Sequence, residues 1–282
     1  MRPRGGYIGF NRVPAASAVN SAASGVWTVR EAQALKRAGT WPSVLPQLPF
    51  TTGLQLHLDA ADASTLFDAT SGGSLVAADG GVARWEDKSG NGRHVTQGTA
   101  GNRPARKTSQ QNGFDALLFD GVNDVLSFSN AITIPASYTA FQVFRRQNSG
   151  ISSGLLGAST GTVGYAFFWY SDNLVYERSN SGGDGYTLHG TANTSTGYFV
   201  VVTTRNGTTS VATRRNGSAI ATVTSGANVT NGANLTWAGI GRLDSVDFHQ
   251  GNACEIIVYN SALSDANRAA VENYLISKWG IV

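Results

Sequence analysis

This 282-residue chain has few of the residues that usually announce a function. It has a single cysteine, Cys254, so an intrachain disulfide framework is excluded. Cys254 sits in the strand-like run GNACEIIVY and reads as a small buried apolar residue rather than a nucleophile. Its histidines (His57, His94, His189 and His249) are scattered without metal-ligand spacing. Glutamate occurs only at positions 31, 86, 177, 255 and 272, and no G-x-S-x-G elbow is present. Charged residues make up 14% of the chain, with no dense Lys/Arg run, which argues against nucleic acid as a partner. No stretch approaches the ~18 apolar residues of a membrane span. Asn11, Arg12 and Pro14 interrupt any apolar run of the ~7–15 residues that a secretory signal needs.

What is present is glycine, 34 residues of it, with 41% hydrophobic content. Ample apolar surface with many turn formers points to short strands and tight turns around a core. The net charge of +3 is unevenly spread. Residues 1–50 carry six Lys/Arg against Glu31 alone, a net +5, which leaves −2 for the rest.

The front segment holds one punctuated helix, WTVREAQALKRAG, with a Thr28/Glu31 capping box, Lys36 and Arg37 in the last turn and a Gly39 stop. Three prolines in TWPSVLPQLP then form an extended linker, placing a domain boundary near residue 50. From Leu54 the period becomes two. LQLHLDA, FDALLFDG, YTAFQVFRR and GYAFFWY read as strands, each with one buried face. Asn206-Gly207 and Asn216-Gly217 separate three further runs, predicting a meander with two type I′ turns. After the strand CEIIVYN comes an amphipathic helix, capped by Ser264 and stopped by Gly280. Val271, Tyr274, Leu275 and Trp279 lie on one of its faces.

The stretches LQLHLDAAD, VARWEDKSGNGRH, GFDALLFDGVNDVL and EIIVYNSALSDANRAAVENYLISKWG together resemble the LamG-like jelly rolls of the concanavalin A-like lectin/glucanase superfamily. The resemblance spans residues ~52–282 and implies an all-β, two-sheet jelly-roll sandwich of about a dozen strands. The sandwich is expected to carry a C-terminal amphipathic helix and to be preceded by an N-terminal extended and helical anchoring segment, giving domains 1–50 and 51–282. DKSGNG reads as a turn in which Asp87 and Asn91 bond local backbone, with Trp85 a core anchor. Asp120 and Asp124 bracket another turn in FDGVND. Some LamG modules bind Ca²⁺ with such oxygens, but the turn-forming role is preferred here and no cofactor is expected.

GGYIGFNRVPAASAVNSAASGVWTVREAQALKRAGTWP resembles the N-terminal peptide of tailed-bacteriophage virion structural proteins. That likeness implies docking to other virion proteins through residues 1–50, with Arg4, Tyr7, Ile8, Phe10, Arg12, Trp27 and Trp41 as anchors. It also implies a multi-copy assembly or homo-oligomer located in the virion.

Three readings of function follow. A retaining glucanase of this superfamily needs two carboxylates ~5–5.5 Å apart on one strand, and its Glu-x-Asp-x-x-Glu signature is missing; the chain is expected not to be an enzyme. A binding module would stack sugar rings on aromatic faces while polar groups bond the hydroxyls. FFWYSDNLVYERSNSGGDGYTLHG supplies such groups in Tyr170, Asp172, Tyr176, Arg178, Asp184 and Tyr186, for a cell-surface glycan. The two resemblances together favour a virion structural protein: a fibre, tail, baseplate or capsid-decoration component with host-surface adhesion. The alternative is a stand-alone bacterial carbohydrate-binding module.

Overall fold

The computed structural model describes residues 45–150, 153–157, 194–207, 210–220, 234–242 and 248–282, together with Val29, Arg30 and Gln33, which are helical. At Ser153 and Leu235, and in strands 165–169, 175–178, 186–189 and 222–225, it describes the backbone alone. The Thr28/Glu31 capping box therefore lies outside the described residues. Packing divides the chain into Met1–Gln47 and Leu48–Val282, and the second unit is an all-β jelly-roll sandwich.

Its strands begin with β1 (Leu54–Asp59), β2 (Leu66–Phe67), β3 (Arg84–Trp85), β4 (Val95–Thr96), β5 (Ala105–Gln111) and β6 (Phe114–Asp120). Next come β7 (Leu126–Ile134), β8 (Tyr138–Arg146), β9 (Ser153–Gly157), β10 (Tyr165–Trp169), β11 (Val175–Arg178) and β12 (Tyr186–His189). The series ends with β13 (Tyr198–Asn206), β14 (Ser210–Arg215), β15 (Ser218–Ile220), β16 (Thr222–Ser225), β17 (Leu235–Ile240) and β18 (Gln250–Tyr259), before the C-terminal helix Asp265–Trp279. One sheet has the order β15-β14-β13-β8-β18-β6-β5, and the other runs β16-β12-β11-β10-β9-β17-β7-β4-β3-β2. The ten-residue β18 is long enough for two partners on one side: its start pairs with β6 and its end with β1.

Leu117, Ala140, Phe144, Val201, Ile256 and Trp237 belong to the core cluster between the sheets. The alternating residues Phe141, Val143, Ile257 and Tyr259 of the eight-stranded sheet are buried as well, because the C-terminal helix covers that outer face. Thr139 Oγ1 accepts from Leu263 N at 3.0 Å, and Arg214 Nε donates to Glu272 Oε2 at 3.0 Å, fastening the helix at two strands. Tyr259 donates its hydroxyl to Phe50 O at 2.6 Å and stacks near that ring, which fixes where the chain enters the sandwich.

Two expectations need correction. Arg215 pairs with Ser218, and Asn216 and Gly217 have φ of 48° and 80°, the positive pair that a two-residue type I′ turn requires. Asn206, however, stays in its strand opposite Ser210, so the first hairpin closes over residues 207–209 and is not a type I′ turn. And β1 does not have one wet face. His57 and Asp59 are as buried as Leu56 and Leu58, since the helix and the loop after β3 cover the polar side.

The helix is built as its sequence predicts. Ser264 Oγ accepts from Asn267 N, and Gly280 takes the left-handed conformation at φ 59°. Val271, Leu275 and Trp279 are buried, each contributing roughly 1.5–3 kcal/mol by removal of apolar surface from water. Leu275→Ala is expected to destabilise the chain by about 2–5 kcal/mol, against less than about 0.5 kcal/mol for the exposed Asn273→Ala. Urea midpoints at unchanged slope would measure both.

Candidate functional site

The densest concentration of ionisable groups lies under the end of the C-terminal helix. On β1, His57 and Asp59 are two residues apart and so share a face, and Asp59 stands directly opposite Glu255 of β18. The helix delivers Tyr274 and Lys278 one turn apart, with Trp279 next in sequence, onto the same spot.

Glu255 is fully buried and accepts four hydrogen bonds. His57 Nε2 (2.9 Å) and Tyr274 OH (3.1 Å) donate to Oε1, while Lys278 Nζ (2.7 Å) and Trp279 Nε1 (2.8 Å) donate to Oε2. Lys278 spends its remaining N–H groups on Asp59 Oδ1 at 2.7 Å and on Tyr274 OH at 3.4 Å. Burial alone would raise the Glu255 pKa. The adjacent Lys278 ammonium, with His57 behind it, outweighs that and holds it at about 2. Burial, and then the charge of Glu255, pushes the Tyr274 phenol up, so it stays a donor.

The DKSGNG loop completes the site. Lys88 bridges Asp59 Oδ2 (3.0 Å) and Asp62 Oδ2 (2.9 Å). Burial works against the Lys88 charge, yet its pKa is raised because Asp59 and Asp62 outweigh it. Asp87 Oδ1 accepts from Ser89 N, the local bond expected, but also from His57 N at 2.9 Å. Asn91 Nδ2 likewise reaches Leu54 O at 3.0 Å. The loop is thus a clamp on β1 as well as a turn.

Among the described residues, His57, Asp59 and Glu255 form a group whose ligand atoms lie close enough together to hold a metal ion. The donor set does not need one. Lys278 Nζ sits 2.7 Å from both carboxylates, where a cation would be, so the ammonium supplies the positive charge. Its side chain is fully buried, and the cluster offers no face to a substrate. The arrangement does structural chemistry: it holds the first strand to the last strand and the last helix.

Asp120 and Asp124 form a second, smaller arrangement. Asp120 Oδ1 accepts from the amides of Val122 (2.8 Å), Asn123 (3.2 Å) and Asp124 (3.3 Å), and Asp124 Oδ2 accepts from Asp120 N at 2.9 Å. Burial, with the nearby Asp120 charge adding to it, raises the Asp124 pKa to about 6.

Of the glycan candidates, Tyr170, Asp172 and Asp184 lie outside the described residues, and Tyr176, Arg178 and Tyr186 are described by backbone only. The register places Arg178 directly opposite Tyr186 and also opposite Tyr165, with Tyr176 two residues along β11. Those four positions therefore share one face of the ten-stranded sheet, together with Leu188, opposite Tyr176; Glu177 and Thr187 occupy the other. The docking candidates Arg4, Tyr7, Ile8, Phe10, Arg12, Trp27 and Trp41 all lie outside the described residues. Sequence reading missed Asp59, Glu255 and Lys278. The signal was there in Lys278, a charge at the 271, 275, 278 spacing of the helix's buried face.

No protein-family model and no curated protein sequence matches this chain. Among solved structures it is similar to a Trypanosoma rangeli sialidase, at 16% identity and a TM-score of 0.47 over 85% of this chain and 34% of that one. It is similar to domain 4 of a GH43 extracellular arabinanase from Geobacillus stearothermophilus in complex with arabinotriose, at 16% identity and a TM-score of 0.48 over 78% and 97% of the two chains. A third is a structure described by the cell entry of botulinum neurotoxin type C through two ganglioside molecules, at 12% identity and a TM-score of 0.45 over 80% and 52%. The chain spans about a third (34%) of the length of the sialidase. The expectation that the chain is not an enzyme is corrected: sialidases stand among the structures it is similar to.

Lys278→Met leaves two buried carboxylates without their cation and is expected to cost about 3–5 kcal/mol in urea unfolding. Because the folded-state pKa of Glu255 lies at about 2, below the ordinary 4.5, its stabilisation is complete above pH ~4.5 and fades as pH falls toward 2. Acid titration of wild type should show that loss. In Lys278→Met, which lacks the ammonium holding the Glu255 pKa down, the loss in that window should be smaller.

Proposed function

We propose that this chain is a carbohydrate-binding β-sandwich module that an N-terminal docking segment attaches to a virion as a structural component. The shared face of Tyr176, Arg178 and Tyr186 carries the binding half of this reading. Two aromatic residues flanking a guanidinium donor on adjacent strands are the groups that sugar recognition uses: rings to cover a pyranose face and a charged fork to bond its hydroxyls. The strand ladder fixes the spacing of these three positions along the sheet, and such preorganisation limits the ordering cost of binding. The docking half rests on the virion-type pattern of residues 5–42 and on the net charge of +5 in residues 1–50. In a multi-copy assembly, weak single-site affinities combine through avidity.

A glycan array on the full chain tests the binding half. Tyr176→Ala and Tyr186→Ala should each weaken binding about fivefold to tenfold. Glu177→Ala and Thr187→Ala, on the opposite face, should leave it unchanged; the reverse pattern would overturn the reading. For the docking half, limited proteolysis of the isolated chain should trim residues 1–50 and spare the sandwich. A front segment resistant to protease without any partner would count against docking.

A further inference from the structure

One row of the eight-stranded sheet brings together three side chains that can each donate hydrogen bonds. Tyr198 of β13 stands directly opposite Arg145 of β8, which stands directly opposite Asn252 of β18. The next row, Phe199, Phe144 and Ala253, belongs to the core cluster between the sheets, so the donor row lies on the outer face. Arg145 Nε donates to Thr196 O at 3.2 Å, and its guanidinium lies 5.9 Å from the Tyr198 ring centre. Among the described residues, no carboxylate is paired with Arg145. Asn252 is 2% exposed, yet its Nδ2 has no hydrogen-bond partner, and the buried Tyr198 hydroxyl donates to no acceptor. Burial, and next the neighbouring Cys254, pushes the Tyr198 phenol up, which keeps its proton in place.

Buried donors without acceptors are costly, and native proteins rarely keep them without a purpose. Here two, Asn252 Nδ2 and the Tyr198 hydroxyl, lie on either side of the half-buried Arg145 guanidinium, which no described carboxylate neutralises. A neutral hydroxyl would leave the guanidinium without a counter-charge, whereas a carboxylate only accepts and suits a planar fork. The segment that leads into β13 beside the row, Thr194–Gly197, is exposed and polar. It offers hydroxyls to a sugar and no apolar anchor of the kind a peptide interface needs. We infer that Arg145, Tyr198 and Asn252 form a site for the carboxylate of an acidic sugar. This rests on the carbohydrate-binding reading and adds a ligand class and a second contact point to it.

The test is calorimetry of the full chain with a glucuronate-containing tetrasaccharide and with the same tetrasaccharide after reduction of its carboxyls to alcohols. The acidic form should bind about tenfold tighter or more, the factor a charge-assisted hydrogen bond supports. That preference should vanish in Arg145→Gln and in Asn252→Asp, which sets a second carboxylate against the ligand; circular dichroism checks that each variant is folded. Equal affinity for both sugars would overturn the acidic-sugar site and leave the carbohydrate-binding reading standing, as would a preference that survives in both variants. Failure of both sugars to bind, or binding of an acidic peptide in their place, would overturn both.

Discussion

The Lys278 ammonium, buried between Asp59 and Glu255, is the interaction on which the rest of the sandwich depends. Taking an ammonium and two carboxylates out of water is expensive, and the Coulomb gain recovers the cost only when every lone pair and proton is matched. Here the matching is close to complete: Glu255 accepts four bonds and Lys278 gives three. Such a cluster tolerates very few geometries. It ties β1, the first strand of the sandwich, to β18 and to the last turn of the helix. Elements separated by 219 positions in sequence are thereby held in one register.

The same cluster explains features that look independent in the sequence. The DKSGNG loop must lie against β1 because Lys88 neutralises the second oxygen of Asp59 while Asp87 accepts from His57 N. The aromatic end of the helix must be Trp279 or another donor-bearing ring, because Glu255 Oε2 accepts from its indole while the ring packs edge-on to Phe114. Polar chemistry at this point is internal to the fold.

Legibility from sequence followed the range of the interactions. The helix caps, the Asn216-Gly217 turn and the strand runs were readable because their signals lie within a few residues of each other. The Asn206 hairpin was misread because a dipeptide does not say which residues pair, and Asn206 bonds across to Ser210. Period-two alternation gave β1 a wet face because His57 and Asp59 are polar. Their burial depends on Glu255 and Lys278, about two hundred residues away. Tyr165 was missed as a neighbour of Arg178 for the same reason: register is a pairing between strands, not a pattern within one.

Two clusters of polar side chains on one face of one sheet therefore behave differently, and the difference is instructive. Around Lys278, donors and acceptors balance, and a balanced set has nothing left to offer a ligand. Around Arg145 the donors outnumber the acceptors, and Asn252 Nδ2 and the Tyr198 hydroxyl donate to none. β18 runs through both clusters, carrying Glu255 in the first and Asn252 in the second. A sheet clamped by an internal ion network can hold an unsatisfied row in place, whereas a looser one would collapse to satisfy it. Satisfaction of hydrogen bonds, more than the mere presence of charge, separates the part of this face that builds the fold from the part we propose as a ligand site.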